Sequence, residues 1–473
     1  MKILLIDPPW YSLQGISSTP IPLGLGYLGA ILKKDGHNCV ILSGEVGITK
    51  KIKHQKVVLK EGEDDFNSLK YNCEWSIFTE KLFRLLKNFE AEIVCITVPT
   101  VKYDVALEIS QLIKKYNNNI KIVVGGPHPT IVPDDFSNIP EIDFIVTGEG
   151  EITISELVKA IEGNKKDFSK IKGLIYKKNG ISVHNPKRQY IQNLDSLPFP
   201  DWSMLYEREK VPRNLLGHII SSRGCPYQCI FCASKKIWGI ETRYRSPKNI
   251  FDEMKEKNLK YGVDLFNFND DSFTLGPKRV ITLCNLLIKS GLNISWKCDT
   301  RVNLVTYELL KKMKDAGCVH ISMGIECGND KMLHYIKKGI TIDQVIKAFS
   351  IANKLGITTM AYFMMGFPNE TKSDILDAVK LMKKIKPSHP CWSIATPYPG
   401  TELYDMCKKE GLISDNIKWS KFHHHSKKMG FSKNINHEEF IRLAEKIEKI
   451  TFRMKLKYYL THPKRLLKEL KII

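Results

Sequence analysis

Residues 221–239, SSRGCPYQCIFCASKKIWG, contain the side chains from which the organisation of this chain follows. Cys225, Cys229 and Cys232 stand at C-x3-C-x2-C spacing, directly after an apolar run at 215–220 that predicts a strand. Iron–sulfur clusters are held by cysteine thiolates, and a cubane has four irons to ligate. Three thiolates on one loop therefore predict a cluster with one iron left open for a small molecule, as in a catalytic metal site.

Other uses of the three cysteines fit the sequence less well. A structural zinc site takes four protein ligands, usually in two separated pairs. No second C-x2-C follows, although His320 or a later cysteine could supply the fourth ligand of a zinc site. A disulfide framework is not expected in a chain of 473 residues without a secretory signal. Three buried structural cysteines at this spacing would be a coincidence, so we favour the open cubane.

The segment GCPYQCIFC, with Phe231 just before the third cysteine, resembles the radical S-adenosylmethionine (SAM) superfamily. In that superfamily the open iron chelates the amino and carboxylate groups of SAM. One electron then cleaves SAM to methionine and a 5′-deoxyadenosyl radical. The resemblance implies a [4Fe–4S] cluster on the three cysteines, with Tyr227 and Phe231 beside SAM. The spacing by itself implies only an incomplete cluster site.

Composition and charge limit the class of protein. The chain is 43% hydrophobic and 10% aromatic, which predicts a globular protein of two or three domains. Twelve cysteines without a signal peptide indicate a reducing, cytoplasmic setting. No apolar run approaches the about 20 residues that span a bilayer. The net charge of +21 favours an anionic partner such as nucleic acid, a phosphorylated substrate or an acidic membrane surface, or reflects a solvated lysine-rich surface.

Strands and helices alternate through the first third of the chain. The apolar patterns predict strands at 2–6, 39–42, 93–98, 120–124 and 144–146 and helices at 22–34, 78–89, 105–116 and 152–161. This alternation predicts an α/β, Rossmann-like, doubly wound parallel sheet. Such sheets bind ligands beyond the carboxyl ends of their strands. The polar, lysine-rich stretch 45–77 is interpreted as an insertion.

The order DPPW, GLGYLGAIL, VVGGPHPT and VTGEGE resembles the cobalamin-binding domain that precedes many radical SAM barrels. Glycine suits such loops because a large flat corrin needs close approach to the backbone. The resemblance implies cobalamin contacts from Asp7, Pro8, Thr97, Gly125, Gly126, His128, Gly148, Glu149 and Gly150. The alternative is a nucleotide-binding G-x-G-x-x-G at 24–29, but that segment lies inside a predicted helix. We interpret it as small residues that pack the helix against a sheet.

One feature of the cobalamin resemblance is missing. Cobalamin mutases and methionine synthase-type domains supply a lower axial histidine in a D-x-H-x-x-G motif, which this chain lacks. His128 follows the predicted fourth strand and precedes Pro129, so we expect it near the corrin and not as a cobalt ligand. Our hypothesis is that a cobalt without this histidine suits methyl transfer, because a weaker axial ligand favours loss of the upper methyl group.

A second alternation begins at residue 215. Strands at 215–221, 265–269, 295–298, 319–323, 359–364 and 391–395 predict a partial (β/α)6 barrel with functional groups at their carboxyl ends. The superfamily resemblance implies SAM contacts from Asp271, Arg301, Glu326, Gly366 and Pro368 at those ends. Glu326 would accept hydrogen bonds from the ribose or the amino group, and Arg301 would pair with the carboxylate. The choice between Asp270 and Asp271 stays open, and no G-G-E motif follows the second strand.

These patterns divide the chain into four parts. They are a cobalamin-binding domain at 1–165, a hairpin and linker at 166–210, a radical SAM barrel at 211–425 and a basic helical extension at 426–473. We expect the extension to be a lid on the barrel, with an amphipathic helix on a membrane surface as the alternative. The triplet at 423–425 is interpreted as a surface loop.

The resemblances together imply a cobalamin-dependent radical SAM methyltransferase. It would move a methyl group from methylcobalamin to an unactivated carbon of a small-molecule or lipid substrate, and a second SAM would restore the methyl group. Flavodoxin or ferredoxin is the expected electron donor, nucleic acid is not an expected partner, and the expected location is the cytoplasm or the periphery of a membrane.

Three other functions remain open at this point. The first is a radical cyclisation or rearrangement, as in the anaerobic porphyrin ring cyclases. The second is a tRNA methylthiotransferase, which would need a second cluster, for example on Cys39, Cys73 and Cys95. Two of these cysteines lie in apolar strands, where free cysteine behaves as a small hydrophobe. The third is a non-catalytic cobalamin or SAM sensor.

Overall fold

The computed structural model describes residues 1–13, 21–45, 66–70, 73–414, 417–424 and 430–463. Most of the predicted insertion, His425 and the last part of the basic extension lie outside these residues. Within the described part, two open sheets follow each other along the chain.

The first sheet has seven strands in the described residues. They are β1 (Lys2–Asp7), β2 (Asn38–Ser43), β3 (Ile93–Thr97), β4 (Lys121–Gly125), β5 (Phe144–Val146), β6 (Leu174–Lys178) and β7 (Ile181–His184). Their order is β2-β1-β3-β4-β5-β6-β7, and β1 to β5 pair in parallel. The parallel strands are continuous apolar runs because helices cover both faces of the sheet.

Seven helices accompany this sheet in the described residues. They are α1 (Leu23–Lys34), α2 (Phe66–Leu69), α3 (Cys73–Phe89), α4 (Tyr103–Tyr116), α5 (Pro127–Ile131), α6 (Asp134–Ser137) and α7 (Gly150–Glu162). Leu25 and Leu157 join the core on one face, and Phe78 and Val105 join the core on the other. The predicted doubly wound sheet is therefore confirmed.

The predicted hairpin forms, but it does not belong to the linker. Its turn at Asn179 and Gly180 has positive φ at both residues, as an Asn-Gly hairpin turn requires. Strand β6 pairs antiparallel with β5, so the hairpin extends the first sheet. The expected domain boundary at residue 165 therefore separates β6 and β7 from the sheet to which they belong.

The second sheet is an open half-barrel. The strands of this part are β8 (His218–Ile219), β9 (Ser222–Arg223), β10 (Arg243–Tyr244), β11 (Leu265–Phe268), β12 (Ser295–Thr300), β13 (Cys318–Glu326), β14 (Thr358–Met365) and β15 (His389–Ile394). Six of them pair in parallel in the order β15-β14-β13-β12-β11-β8, as the partial (β/α)6 barrel predicts. Strands β9 and β10 form a separate antiparallel ribbon.

Nine α-helices accompany the half-barrel in the described residues. They are α8 (Ser234–Ile237), α9 (Pro247–Tyr261), α10 (Pro277–Ser290), α11 (Tyr307–Asp315), α12 (Asp330–Tyr335), α13 (Ile342–Lys354), α14 (Lys372–Ile385), α15 (Glu402–Lys409) and α16 (His437–Thr461). Along β12, Trp296 and Cys298 are buried, while Lys297 and Asp299 are only half-buried. This alternation leaves the concave face lined by partly accessible polar side chains.

The last described helix packs on the barrel. Phe440, Leu443 and Ile447 of α16 are buried, and the helix contacts β15. Further along the same helix, Leu456 and Leu460 are exposed. Among the described residues, no helix is both long and apolar enough to cross a membrane.

Gly26 and Gly29 pack α1 mainly against the segment that joins the two sheets, and only Gly29 also meets the sheet, at Leu5 of β1, where packing against a sheet was expected. A Cβ on Gly26 would lie 2.7 Å from the Trp202 ring and 2.9 Å from Pro200, both in the segment that joins the two sheets. A Cβ on Gly29 would lie 2.7 Å from Met204. The absence of side chains here lets the connecting segment lie directly on α1.

We therefore expect Gly26→Ala to destabilise the protein by about 1–3 kcal/mol, because the added methyl group overlaps Trp202 and Pro200. Gly24→Ala is the matched control, since a Cβ there meets no atom within 4 Å. It should be neutral or stabilising by up to about 1 kcal/mol through helix propensity. Urea unfolding of the cofactor-free protein measures both. An equal or higher midpoint for Gly26→Ala than for Gly24→Ala would contradict this packing.

Candidate active site

The three-cysteine loop leaves and returns to the half-barrel through the β9–β10 ribbon. Gly224 begins the loop with φ +96, and a Cβ there would lie 2.2 Å from the Glu241 carbonyl oxygen. Only glycine permits this approach of the two ends of the loop. The loop is also held from the barrel side, because the Ile230 N–H donates to the Ile336 carbonyl at 3.1 Å.

The three thiols suit a cluster better than a single ion. Cys225, Cys229 and Cys232 are free, and Cys225 and Cys232 are only half-buried. Burial raises the pKa of Cys225 and raises that of Cys232 to about 11, so iron would have to displace protons on binding. In the described residues no group of three His, Cys, Asp or Glu side chains is close enough for one metal ion. A cubane tolerates wider spacing, because each thiolate binds a different iron.

Arg301 lies directly against the cysteine loop. Its Nη1 donates to Cys229 Sγ at 3.7 Å, and its Nη2 donates to the Lys338 carbonyl. Its guanidinium carbon lies 3.5 Å from the centre of the Tyr227 ring. The structure thus brings Arg301 and Tyr227, two predicted SAM contacts, together beside a cluster cysteine.

Glu326 ends β13 in an unusual backbone conformation. Its φ is +70, and the pairing with β14 shifts register between Gly324 and Glu326. Its Oε1 accepts from Lys338 Nζ at 2.7 Å, and both side chains are buried. A Cβ on Gly324 would lie 2.4 Å from that oxygen. The bulge therefore turns the Glu326 carboxylate back over its own strand, at the carboxyl edge of the sheet.

The turn after β14 is shaped by a buried carboxylate. Gly366 has φ +95, and its N–H and that of Phe367 donate to Glu370 Oε2. Burial raises the pKa of Glu370 to about 8. A Cβ on Gly366 would lie 3.1 Å from Phe440 of α16, and the Pro368 carbonyl accepts from Lys433 N–H at 2.9 Å. This turn, where the resemblance implies SAM contacts from Gly366 and Pro368, thus lies under the C-terminal extension.

The two aspartates after β11 have separate partners. Asp270 is buried and accepts from the hydroxyls of Ser221 and Ser222, so it holds the start of the cysteine loop. Asp271 accepts from Ser234 Oγ, two residues after Cys232. Asp271 is exposed, whereas Asp270 is buried.

The carboxyl end of β1 carries a buried group of charges. Lys102 Nζ lies 2.6 Å from Asp7 Oδ1 and 3.0 Å from Glu45 Oε1. Burial alone would lower the pKa of Lys102, but the two carboxylates raise it above its usual value. Glu45 also accepts from the N–H groups of Trp10 and Tyr11. The loop that contains Asp7 and buried Pro8 is therefore fixed from within the protein.

Thr97 and the glycines after β4 form a tight crossing. A Cβ on Gly126 would lie 2.9 Å from Thr97 Oγ1, and Gly126 has φ +101. Gly125 ends the strand beside Val146. These residues are partly accessible at the carboxyl edge, where the resemblance predicts a corrin.

His128 is enclosed by aromatic rings. It is fully buried, its Nε2 lies 3.1 Å from Asp135 Oδ2, and its ring lies 5.0 Å from Trp419 between centroids. Trp419 Nε1 donates to the same Asp135 oxygen at 2.7 Å. His423 is buried as well, so the interpretation of the histidine triplet as a surface loop is wrong for this residue. The segment 417–424 packs over the first sheet, which no local pattern indicated.

The loop after β5 combines open space with a buried carboxylate. Gly148 has φ +75, and a Cβ there would meet no atom within 4 Å. Gly150 begins α7. Glu149 between them points inward and pairs with Arg223 and Arg243. The carboxylates of Asp7 and Glu149 and Nε2 of His128 are thus engaged within the protein, while His128 Nδ1 has no partner among the described residues. A contact of these residues with cobalamin stays a prediction.

Two observations nevertheless fit a large polar ligand at this edge. Trp10 Nε1 is buried and has no hydrogen-bond partner among the described residues. The space beside Gly148 is open. A corrin carries amide side chains that would accept from such a donor. The donor set of the cysteine loop likewise fits a [4Fe–4S] cluster with one open iron.

The ligand edges of the two sheets face each other. Helix α5, which follows Gly126, contacts α8, which follows Cys232. A Cβ on Gly400 would lie 2.6 Å from Ile131 at the end of α5. The two groups of predicted cofactor residues therefore border one shared region. Sequence reasoning missed Lys102, Lys338, Arg223 and Arg243, because only the fold shows which charged residues are buried.

The candidate second cluster is not assembled. Cys39 and Cys95 are buried within β2 and β3, and Cys73 is exposed at the start of α3. Burial raises the pKa of Cys39 to about 12. The interpretation of Cys39 and Cys95 as small buried hydrophobes is confirmed.

Comparison with known proteins gives the family. The radical SAM superfamily matches residues 219–382, and the B12 binding domain matches residues 15–158. An uncharacterised methyltransferase of Pyrococcus horikoshii is 34% identical over 89% of this chain and 86% of its own length. The anaerobic magnesium-protoporphyrin IX monomethyl ester cyclase of Rubrivivax gelatinosus is 30% identical over 89% of this chain and 72% of its own length.

A solved structure shares the fold. The radical SAM methyltransferase TsrM of Kitasatospora setae, with cobalamin and a [4Fe–4S] cluster bound, has a TM-score of 0.66 at 17% identity over 86% of this chain and 74% of that protein. The order of the two domains and the three-cysteine loop agree with this likeness. The chain therefore belongs to the family of cobalamin-dependent radical SAM methyltransferases, with a [4Fe–4S] cluster, SAM and cobalamin as its cofactors.

Proposed function

We propose that this enzyme transfers a methyl group to an unactivated carbon of a small-molecule or lipid substrate. The observation that carries the proposal is the contact of α5 with α8, which brings the ligand edges of both sheets to one region. Reagents held at one place react as if at very high concentration, and this matters most for a short-lived radical. Bound together, the three cofactors supply a 5′-deoxyadenosyl radical and a transferable methyl group.

In this proposal, the residues beside the cysteine loop orient SAM. Arg301 offers the remaining donors of its guanidinium to the SAM carboxylate, while Tyr227 and Lys338 fix its plane. Glu326 accepts from the ribose or the amino group with its second oxygen. The turn at Gly366 to Pro368 receives the adenine, Phe231 packs close to it against Phe367, and Asp271 borders the open side.

We assign the substrate to the concave face of the half-barrel. Asp299, Tyr362 and Met364 alternate with buried residues on β12 and β14 and are only half-buried. Burial raises the pKa of Asp299 to about 6, and burial also raises that of Tyr362. A half-buried carboxylate beside a phenol and a thioether can hold both a polar and an apolar part of a substrate.

Methyl transfer is favoured over cyclisation by the surroundings of His128. Its imidazole is held between Asp135 and Trp419 and is fully buried. This supports the hypothesis that it is not a lower ligand to cobalt, which would ease loss of the upper methyl group. Radical cyclisation on the same cofactors is the second candidate, because a relative at 30% identity is a cyclase.

The electron donor and any membrane contact belong to the same proposal. A flavodoxin or ferredoxin would supply the electron for SAM cleavage. The later part of α16 exposes Leu456 and Leu460 beside Arg453 and Lys457, which suits peripheral contact with an anionic membrane.

A half-reaction separates methyl transfer from cyclisation without the substrate. We expect the anaerobically reconstituted, reduced enzyme to convert SAM to S-adenosylhomocysteine at most once per bound cobalamin, because reduced cobalamin would take one methyl group from SAM and no substrate is present to remove it. Mass spectrometry with SAM deuterated in the methyl group measures it, and the cobalamin-free enzyme is the control. Formation of 5′-deoxyadenosine without S-adenosylhomocysteine would favour cyclisation, and formation of neither would indicate a sensor.

Removal of a cluster ligand should abolish iron binding. We expect Cys225→Ala to hold far less than the about four irons per chain of one cubane and to form no 5′-deoxyadenosine, because three ligands are needed. Cys73→Ala is the matched control and should keep the wild-type iron content, since this thiol is exposed on α3. Iron analysis after desalting measures both. Loss of about half the iron in Cys73→Ala would instead indicate a second cluster and a methylthiotransferase.

Arg301→Lys should weaken SAM binding without emptying the cluster site. Lysine keeps the charge but cannot stack on Tyr227 and donate in two directions. Loss of one hydrogen bond to a charged group is worth about 1.5–3 kcal/mol, or about a 10- to 100-fold weaker affinity. Equilibrium dialysis with labelled SAM measures the affinity. The control is Arg213→Lys, because Arg213 forms an exposed ion pair with Asp264. Wild-type affinity in Arg301→Lys would exclude the proposed carboxylate contact.

A further inference from the structure

One buried carboxylate joins the two halves of the protein. Arg223 Nη1 lies 2.9 Å from Glu149 Oε1, and Arg243 Nη1 lies 2.9 Å and 3.0 Å from the two Glu149 oxygens. The Ile191 N–H donates to the same carboxylate at 2.6 Å. The three charged side chains are between 1% and 3% exposed. We call Glu149, Arg223 and Arg243 the Glu149 clamp.

The two arginines are the two ends of the cysteine loop. They pair directly across the β9–β10 ribbon, and all three cluster cysteines lie in the segment between them. Because both ends are tied to one carboxylate, the loop cannot move relative to that carboxylate unless buried ion pairs break.

The carboxylate itself belongs to the other domain. Glu149 lies between Gly148 and Gly150 in the loop after β5, at the edge of the first sheet where cobalamin binding is predicted. The clamp therefore connects the loop that holds one cofactor to a loop beside the other. The Glu149 side chain thus joins the first sheet to the ribbon that carries the cysteine loop.

The surroundings of the clamp hold each arginine in one orientation. The Arg223 guanidinium lies 5.0 Å from the Trp238 ring and also pairs with Glu151 through Nη2. The Arg243 guanidinium lies 4.7 Å from the Tyr190 ring and donates to the Ile191 carbonyl at 2.8 Å. A buried ion pair adds little net stability compared with apolar packing. Its several directed contacts do fix the orientation of each arginine, although Arg243 Nε has no hydrogen-bond partner among the described residues.

We propose that the Glu149 clamp is a positioning device that sets the separation and orientation of the iron–sulfur cluster relative to cobalamin. The radical formed at one cofactor and the methyl group held at the other must meet at the same substrate atom, so the enzyme needs this separation to be fixed. The clamp residues are paired with one another, so in this proposal they act through the loops that they join. The inference rests on the presence of both cofactors.

The test uses the full-length enzyme reconstituted with iron, sulfide and hydroxocobalamin. Glu149→Gln keeps the size of the side chain and one acceptor but removes the charge that both arginines share. Glu156→Gln is the matched control, because Glu156 pairs with Arg188 outside the clamp. Pulsed electron paramagnetic resonance measures the distance distribution between the reduced cluster and the cobalt(II) form of cobalamin, and metal analysis measures the occupancy of both sites.

We expect wild type and Glu156→Gln to give the same narrow distance distribution. Glu149→Gln should retain iron and cobalt but give a broadened and shifted distribution, and it should form more 5′-deoxyadenosine per S-adenosylhomocysteine than wild type. A merely structural role would lower the metal content or the folded fraction and leave the distribution of the folded enzyme unchanged.

Three results would overturn the inference. If Glu149→Gln binds iron and cobalt fully and its cluster–cobalt distance distribution equals that of wild type, the clamp does not position the cofactors. The assignment of the two cofactors would still hold. If Glu149→Gln does not fold, Glu149→Asp and Arg243→Lys replace it, because both keep the charges of the clamp. Both variants should then show the broadened distribution. A wild-type distribution in both would likewise overturn the positioning role of the clamp. Wild-type enzyme with iron but no cobalt would overturn the inference together with the proposed methyl transfer.

Discussion

Parallel strands all end at the same edge of a sheet, and the arrangement of this protein depends on that constraint. Every residue expected to contact a cofactor ends or follows a parallel strand or lies in the loop between β9 and β10. Two parallel sheets in one chain give two such edges, and α5 at the edge of the first contacts α8 at the edge of the second. The helices on the outer faces supply the core, so the edges are left for chemistry.

Several charged residues are buried at the carboxyl edges of the two sheets. Lys102 with Asp7 and Glu45, Lys338 with Glu326, and Arg223 with Glu149 are all nearly inaccessible. Buried ion pairs are poor sources of stability, and loss of one partner is costly. Those at the carboxyl edges fix loops, while a further buried group, Glu253 and Lys257 of α9 with Arg245, lies behind the half-barrel sheet's first strands.

Much of the fold follows from local patterns in this chain. The five parallel strands of the first sheet and the six of the second begin and end within a few residues of their expected bounds, because apolar runs bounded by glycine, proline or aspartate leave little choice. The G-x-G-x-x-G segment at 24–29 could be assigned to a helix and not to a nucleotide-binding loop, because it lies within an apolar helical pattern. The hairpin at 174–184 was assigned to the linker, since its turn shows that it pairs with itself but not which sheet it joins.

The sequence by itself determined the cysteine triad, the glycine-bearing loops and the family, because a cluster needs thiolates at fixed spacing and short loops keep that spacing in any fold. The tertiary structure decided which charged groups are buried and paired, since Glu149 and Arg223 are 74 residues apart and nothing local links them. It also decided that His128 and His423 face inward and that the segment 417–424 covers the first sheet. Such contacts depend on how two sheets pack, and that is a property of the whole chain.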